Sequence, residues 1–406
     1  MRKTLIACAL TLALTACDRG ATPPDAGAAA TPVAAASQAD IAAEPERLNT
    51  WFEKKYEEQL QFSPIQLTFQ GRKDHYGKID DLSEKATLDQ VAWQKASVEE
   101  MEKTFDYAKL SDEAKLSYDL WKLQYENARD GVPFLADGYA FDQMNGAQSF
   151  LPTLLISFHK VDEESDYTAY ISRMKETSRA LDQLLERARK SAGQGVRPPK
   201  FAYEGVIDQS RKVITGAPFT DGPDSAIWAD AQAKADALVK SGKITAERAT
   251  ELKEEARTAL LEQFKPAYER VIAWAQEDLP NSPVNATGVG TTHANGKAYY
   301  EYQLRQMTTT DMTADQIHEL GLKEVDRIKG EMTALKGKVG FKGDLDAFFT
   351  FIDTDPQFNF PNTDEGRKAY IDEASSKIAN IKKELPNYFG LLPKADLEVK
   401  RVEAFR

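Results

Sequence analysis

Thr313-Ala-Asp-Gln-Ile-His-Glu-Leu-Gly-Leu-Lys-Glu-Val325 opens on a hydroxyl followed three residues later by Gln316, the pattern in which a helix N-cap and its third residue satisfy each other's backbone. Behind that start, Ile317, Leu320, Val325, Ile328, Met332 and Leu335 fall on one stripe of a helix, which predicts an element running to about Lys338 with that stripe buried. The same reading extends in both directions. Towards the C-terminus, a helix starts near Thr363 with Tyr370, Ala374, Ile378, Ile381 and Leu385 on its buried face, and Pro386 stops it. Towards the N-terminus, Ser111 caps a segment to about Ala128, and similar spacing marks 46–61, 84–107 and 165–191. A longer pair covers 225–241 and 245–277, separated by Gly242, with Pro266 expected to kink or restart the second.

The fold class is therefore mainly α, a multi-helix domain with a few short strands. The strand candidates are Gln66–Phe69, Lys297–Leu304 and the alternating Leu397-Glu-Val-Lys400. The interleaved aromatic residues read as core, because Tyr, Trp and Phe at helical spacing supply large buried area.

The N-terminus carries a different kind of signal. Arg2 and Lys3 precede an apolar run from Leu5 to Leu14, too short to span a bilayer, and Leu14-Thr15-Ala16-Cys17 closes it like the lipobox of bacterial lipoproteins. Residues 1–16 then form an export signal, and Cys17 becomes a lipid-bearing N-terminus. The chain's other cysteine, Cys8, leaves with the signal, so no disulfide is available and the core alone holds the fold. Asp18 resembles the sorting residue that retains lipoproteins at the inner membrane. Residues 17–45 are rich in Ala, Pro, Thr and Gly with almost no large apolar side chain, which predicts a flexible tether on the order of 30 Å across. Residues 46–406 form the helical domain.

The chain has 52 basic and 64 acidic residues, intermixed throughout, and losing Arg2 and Lys3 makes the mature protein more acidic still. That excludes nucleic acid as a partner and leaves membrane lipid reachable only through acylated Cys17.

Motifs for chemistry fail on spacing. The four histidines, His75, His159, His293 and His318, form no local metal motif. His318-Glu319 opens like a zincin signature, but Leu322 stands where the second histidine belongs. Gly288-Val-Gly lacks the third glycine of a dinucleotide fingerprint, and the two Ser-x-x-Lys matches, at 157–160 and 172–175, lack their companion elements. No catalytic residue and no metal ligand is assigned from the residues themselves.

A resemblance adds to this reading. Gly288-Val-Gly-Thr-Thr-His-Ala-Asn-Gly-Lys-Ala-Tyr-Tyr300, the stretch Thr308-Thr-Thr-Asp-Met-Thr-Ala-Asp-Gln-Ile-His-Glu-Leu-Gly-Leu-Lys-Glu-Val325, Gly195-Val-Arg-Pro-Pro199 and Leu392-Pro393 resemble a bacterial group known as domain-of-unknown-function family 885. The resemblance covers about Glu46 to Arg406. It implies kinship with helical zinc metallopeptidases, the present chain being similar to the N-terminal helical part of a gluzincin-like peptidase. The family's His-Glu-x-x-Pro-Gly-His-His element has no match in Glu46–Arg406, so the resemblance implies zinc for a complete member, no cofactor for this chain, and a peptide as substrate. Expected residence is the cell envelope, lipid-anchored and facing the periplasm at the inner membrane. The alternative is a non-catalytic helical binding or envelope-assembly lipoprotein. If a substrate cleft is present, His293, Tyr299 and Tyr300, with His318, are the candidates for lining it.

Overall fold

A computed structural model describes residues 38–402. Leu14, Thr15, Ala16, Cys17 and Asp18 lie outside the described residues. Fifteen α-helices follow one another: α1 (Gln38–Leu60), α2 (Pro64–Phe69), α3 (Glu84–Thr104), α4 (Asp112–Gly131), α5 (Ala147–Thr153), α6 (Glu164–Gly193), α7 (Lys200–Val213), α8 (Ala226–Lys240), α9 (Ala246–Ala259), α10 (Lys265–Asp278), α11 (Val289–Thr292), α12 (Gly296–Thr308), α13 (Ala314–Lys338), α14 (Leu345–Thr354) and α15 (Asp364–Glu384).

The starts are chemically marked. Ser83, Ser111, Ser225, Thr245, Thr313 and Thr363 each accept a backbone N–H of the first turn through their hydroxyls. Thr313 and Gln316 form the reciprocal capping box that the sequence predicts. The stretch 245–277 divides where Pro266 lies. A π-helical turn, Leu260–Phe264, separates α9 from α10, and Pro266 sits in the first turn of α10, where its missing N–H costs least.

Two apolar cores hold the molecule. The larger is built on α5–α10 around α6, whose Tyr167, Tyr170, Met174, Leu181 and Leu185 are buried against Leu252, Phe264, Tyr268 and Val271. The smaller joins α1, α3 and α4 through Leu48, Trp51, Met101, Phe105 and Tyr118. The two cations that reach into the main core, Arg173 and Lys234, are paired. Arg173, fully buried, donates to the carbonyls of Lys78 and Pro64 and to Thr68, and lies over the Tyr76 ring. Its fourth hydrogen bond, to His159, fixes a tautomer. His159 Nε2 sits 2.9 Å from the Asp166 carbonyl and must donate to it, so Nδ1 accepts from Arg173 at 3.2 Å. Burial drives the His159 pKa down to about 3 and the Arg173 pKa down to about 10. Lys234 answers a second problem. It donates to the Leu155 and Ile156 carbonyls, which lie in the π-helical turn Leu154–Phe158, while pairing with Asp230.

Several expectations need correction. Gln66–Phe69 is part of helix α2, started by Ser63 with Pro64 at its first position, and Lys297–Leu304 lies within helix α12. Leu397–Lys400 has no strand partner, and among the described residues the only β contact is an isolated bridge between Ala217 and Asp224. Ordered helix also begins at Gln38, inside the stretch read as tether: Ala-rich sequence favours it, and buried Glu44 anchors it by accepting the Asp106 N–H and pairing with Arg47.

The largest departure concerns burial. The stripe on α13 forms as a stripe but faces no core: Leu320, Val325 and Leu335 are 49%, 47% and 55% exposed. Tyr370 and Ile381 of α15 are exposed as well, and among the described residues the last buried apolar side chain is Ala275.

Candidate functional site

A buried polar arrangement outside the two cores lies where α11 and α12 meet the turn that follows α4. Alpha-12 is fastened to that region by stacking of Phe134 on Tyr302 and a tilted contact of Phe134 with Tyr299. Tyr302 donates to the Asn127 carbonyl at 3.1 Å and Gln306 to the Asn127 side chain. The approach is close enough to require glycine. A Cβ at Gly131 would stand 2.5 Å from the Tyr302 hydroxyl, and one at Gly296 would stand 2.0 Å from the Val289 carbonyl oxygen.

Within this seam, His293 Nε2 lies 2.9 Å from Asp137 Oδ1, with the two side chains 6% and 7% exposed. The nitrogen is out of line for a hydrogen bond, so Nε2 lies against the carboxylate with no aligned partner. The other carboxylate oxygen accepts from Asn295 Nδ2 at 2.9 Å. On the far side of the imidazole, Thr292 Oγ1 stands 3.1 Å from both His293 Nδ1 and the Val289 carbonyl. A hydroxyl has one proton, so it can donate to only one of these at a time.

Hydroxyl, imidazole and carboxylate in this order are the parts of an activated nucleophile. Here they are closed in. The imidazole has almost no solvent contact, the hydroxyl is shared with a backbone carbonyl, and Thr292 and His293 are chain neighbours, which leaves no gap for a reacting atom. As a metal centre the set also falls short. Asp137 and His293 supply two ligands where zinc takes three or four from protein, and among the described residues no three His, Cys, Asp or Glu side chains converge. The residues present do not fit zinc. What the arrangement does is latch: it pins the α11–α12 hairpin to the body through one buried imidazole–carboxylate contact and one amide–carboxylate hydrogen bond.

The sequence candidates are divided by this geometry. His293 and Tyr299 belong to the seam, Tyr299 accepting from Gln303 Nε2 at 2.7 Å. Tyr300, the next residue on α12, is exposed. His318 is exposed on α13, and no contact joins it to the seam. Asp137 was not singled out from sequence. Its one local signal is the Asp137-Gly138 turn after the helix ending at Gly131, and its partner Asn295 is 158 positions away.

The family described as bacterial protein of unknown function, DUF885, matches residues 64–406. The chain belongs to the DUF885 family. Its fold is shared with a solved structure described as that of the "putative lipoprotein" from Colwellia psychrerythraea, at 17% identity and a TM-score of 0.74. The likeness covers 89% of this chain and 63% of that one, so the DUF885 chain spans less than two thirds of that protein's length. Among curated proteins none matches. No helix among the described residues is long and apolar enough to cross a membrane.

Proposed function

We propose that this DUF885 chain is the helical front portion of a lipid-tethered protein of the bacterial cell envelope, related to zinc peptidases but lacking the metal site within residues 46–406. In this reading Cys17 carries the lipid, Asp18 keeps the protein at the inner membrane facing the periplasm, and the α11–α12 hairpin walls one side of a cleft for a peptide. The observation carrying the reading is the fit of 89% of the chain onto 63% of a longer protein described as a putative lipoprotein, taken with the lipobox Leu14-Thr15-Ala16-Cys17. Two acyl chains give stable anchoring where one gives marginal binding.

A Cys17→Ala variant tests the tether. It is expected to lose the acylated mass and to move from the membrane to the soluble fraction, and unchanged fractionation would refute the assignment. A second reading, a non-catalytic binding lipoprotein, is favoured by the closure of the Asp137–His293 contact at 7% and 6% exposure. Peptide turnover decides between the two. Under the first reading, activity appears only when the chain is joined to the polypeptide that supplies the metal ligands; under the second, peptides bind without being cut.

A further inference from the structure

We propose that Asp137 and His293 form a proton-operated latch, which holds the α11–α12 hairpin on the body while His293 is an imidazolium and slackens when the ring loses its extra proton. The protons available at the ring decide this. At 2.9 Å from Asp137 Oδ1, Nε2 has to bear a hydrogen, because a lone pair there would face a carboxylate. On the other side of the ring, Thr292 Oγ1 lies 3.1 Å from both Nδ1 and the Val289 carbonyl oxygen. With Nε2 protonated and the ring neutral, Nδ1 can only accept, so it takes the one hydroxyl proton and the Val289 carbonyl goes without it. In the imidazolium, Nδ1 donates to Oγ1 and the hydroxyl proton passes to that carbonyl. Only the charged ring gives each of these atoms a favourable neighbour.

The charge balance of the seam agrees. The Asp137 side chain is 7% exposed, and among the described residues no Lys or Arg pairs with it, so His293 is the group able to neutralise it. Asn295 contributes a hydrogen bond but no charge. A buried carboxylate without a cation is costly, and Coulomb attraction to an imidazolium does not need the linear N–H···O that Nε2 lacks. The other ionisable groups around the seam are the phenols of Tyr299 and Tyr302 on α12 and of Tyr139 beside Gly138, Asp130 on α4, which pairs with Arg129, and Arg305 on α12. Groups of these kinds ordinarily titrate outside the window of about pH 5–8 in which histidine changes charge. The hairpin has few other holds. Among the described residues, the hydrogen bonds joining α11 and α12 to the body end on Asn127 and Asp137 alone, and α12 leads on into α13. A proton on His293 therefore sets how firmly the last helices are fastened.

The test follows the chain without residues 1–16 by NMR and amide exchange at about pH 5.5 and about pH 8. Ring nitrogen signals of His293 are expected to show both nitrogens protonated at the lower pH and one at the higher. Protection of α12 amides, corrected for the intrinsic exchange rate, should fall at least ~10-fold across that interval. Protection of α6 amides should not fall, because buried His159 costs stability in acid, the opposite sense. His293→Gln and Asp137→Asn should each abolish the pH response of α12 while leaving α6 protected. If either variant releases the hairpin at both pH values, the ring signals and α12 exchange of the parent still decide. Equal α12 protection at the two pH values, a His293 ring that is neutral at the lower one, or a pH response that survives either substitution would each overturn the proposal.

Discussion

Helices α6 and α13 are alike in everything the local sequence specifies. Each is long, 30 and 25 residues, each opens with a capping box, Glu163 with Asp166 in one and Thr313 with Gln316 in the other, and each carries an apolar stripe. They differ in what meets the stripe. Alpha-6 buries Tyr167, Tyr170, Met174, Leu181 and their neighbours against α8–α10, while α13 buries nothing. The lesson is that caps and periodicity specify a helix and which face of it wants cover, but not where the cover comes from.

That contrast can be attacked from the covered side first. Arg173 ties α6 to α2, to the loop after α2 and to His159 through four hydrogen bonds and is fully enclosed, so Arg173→Leu strands the Lys78 and Pro64 carbonyls, Thr68 and His159 Nδ1. Urea denaturation is expected to show a loss of about 3–5 kcal/mol. A loss below ~1 kcal/mol would mean that the body is not organised around this residue.

His159 gives a smaller, pH-dependent effect. Its folded pKa, about 3, is depressed from the ordinary 6.5 by burial, so the unfolded chain binds the extra proton first on acidification. The stability it contributes is complete above pH 6.5 and is lost as pH falls toward 3. Between those values the slope is at most ~1.4 kcal/mol per pH unit, and His159→Gln should flatten stability against pH between 6 and 5 relative to the parent. Identical slopes in the two proteins would place His159 in contact with water.

On the uncovered side the effect should nearly vanish. Ile328→Ala on α13, a change that costs several kcal/mol in a packed core, is expected to shift the stability of the isolated chain by no more than ~0.5 kcal/mol. A core-like cost would show that the chain covers this face by itself.

Much of the fold is legible in the residues for the same reason that the comparison works. Ser111, Thr313, Thr363 and Pro266 mark starts and breaks through local chemistry, and the structure honours each. The errors arise where short apolar runs fit two periods. In Gln66–Phe69 the four residues alternate, but Ser63-Pro64 just before them is a helix start. In Lys297–Leu304 the β-prone tyrosines are in fact spaced as a helix face, Tyr299 and Tyr302 both meeting Phe134. The seam was half visible. His293 and Tyr299 stand in a recognisable stretch, but Asp137 gains its role only when the chain returns to it, 158 positions before Asn295. No local pattern encodes such a meeting.

The central claim is that α13–α15 are helices whose apolar face is left without tertiary cover by residues 38–402. Amide hydrogen exchange on the chain alone tests it most directly, because local opening free energies run from near zero at uncovered elements to the global value in the core. Amides of α6 and α10 should exchange at least ~1000-fold more slowly than those of α13 and α15. Equal protection across the four helices would contradict the account.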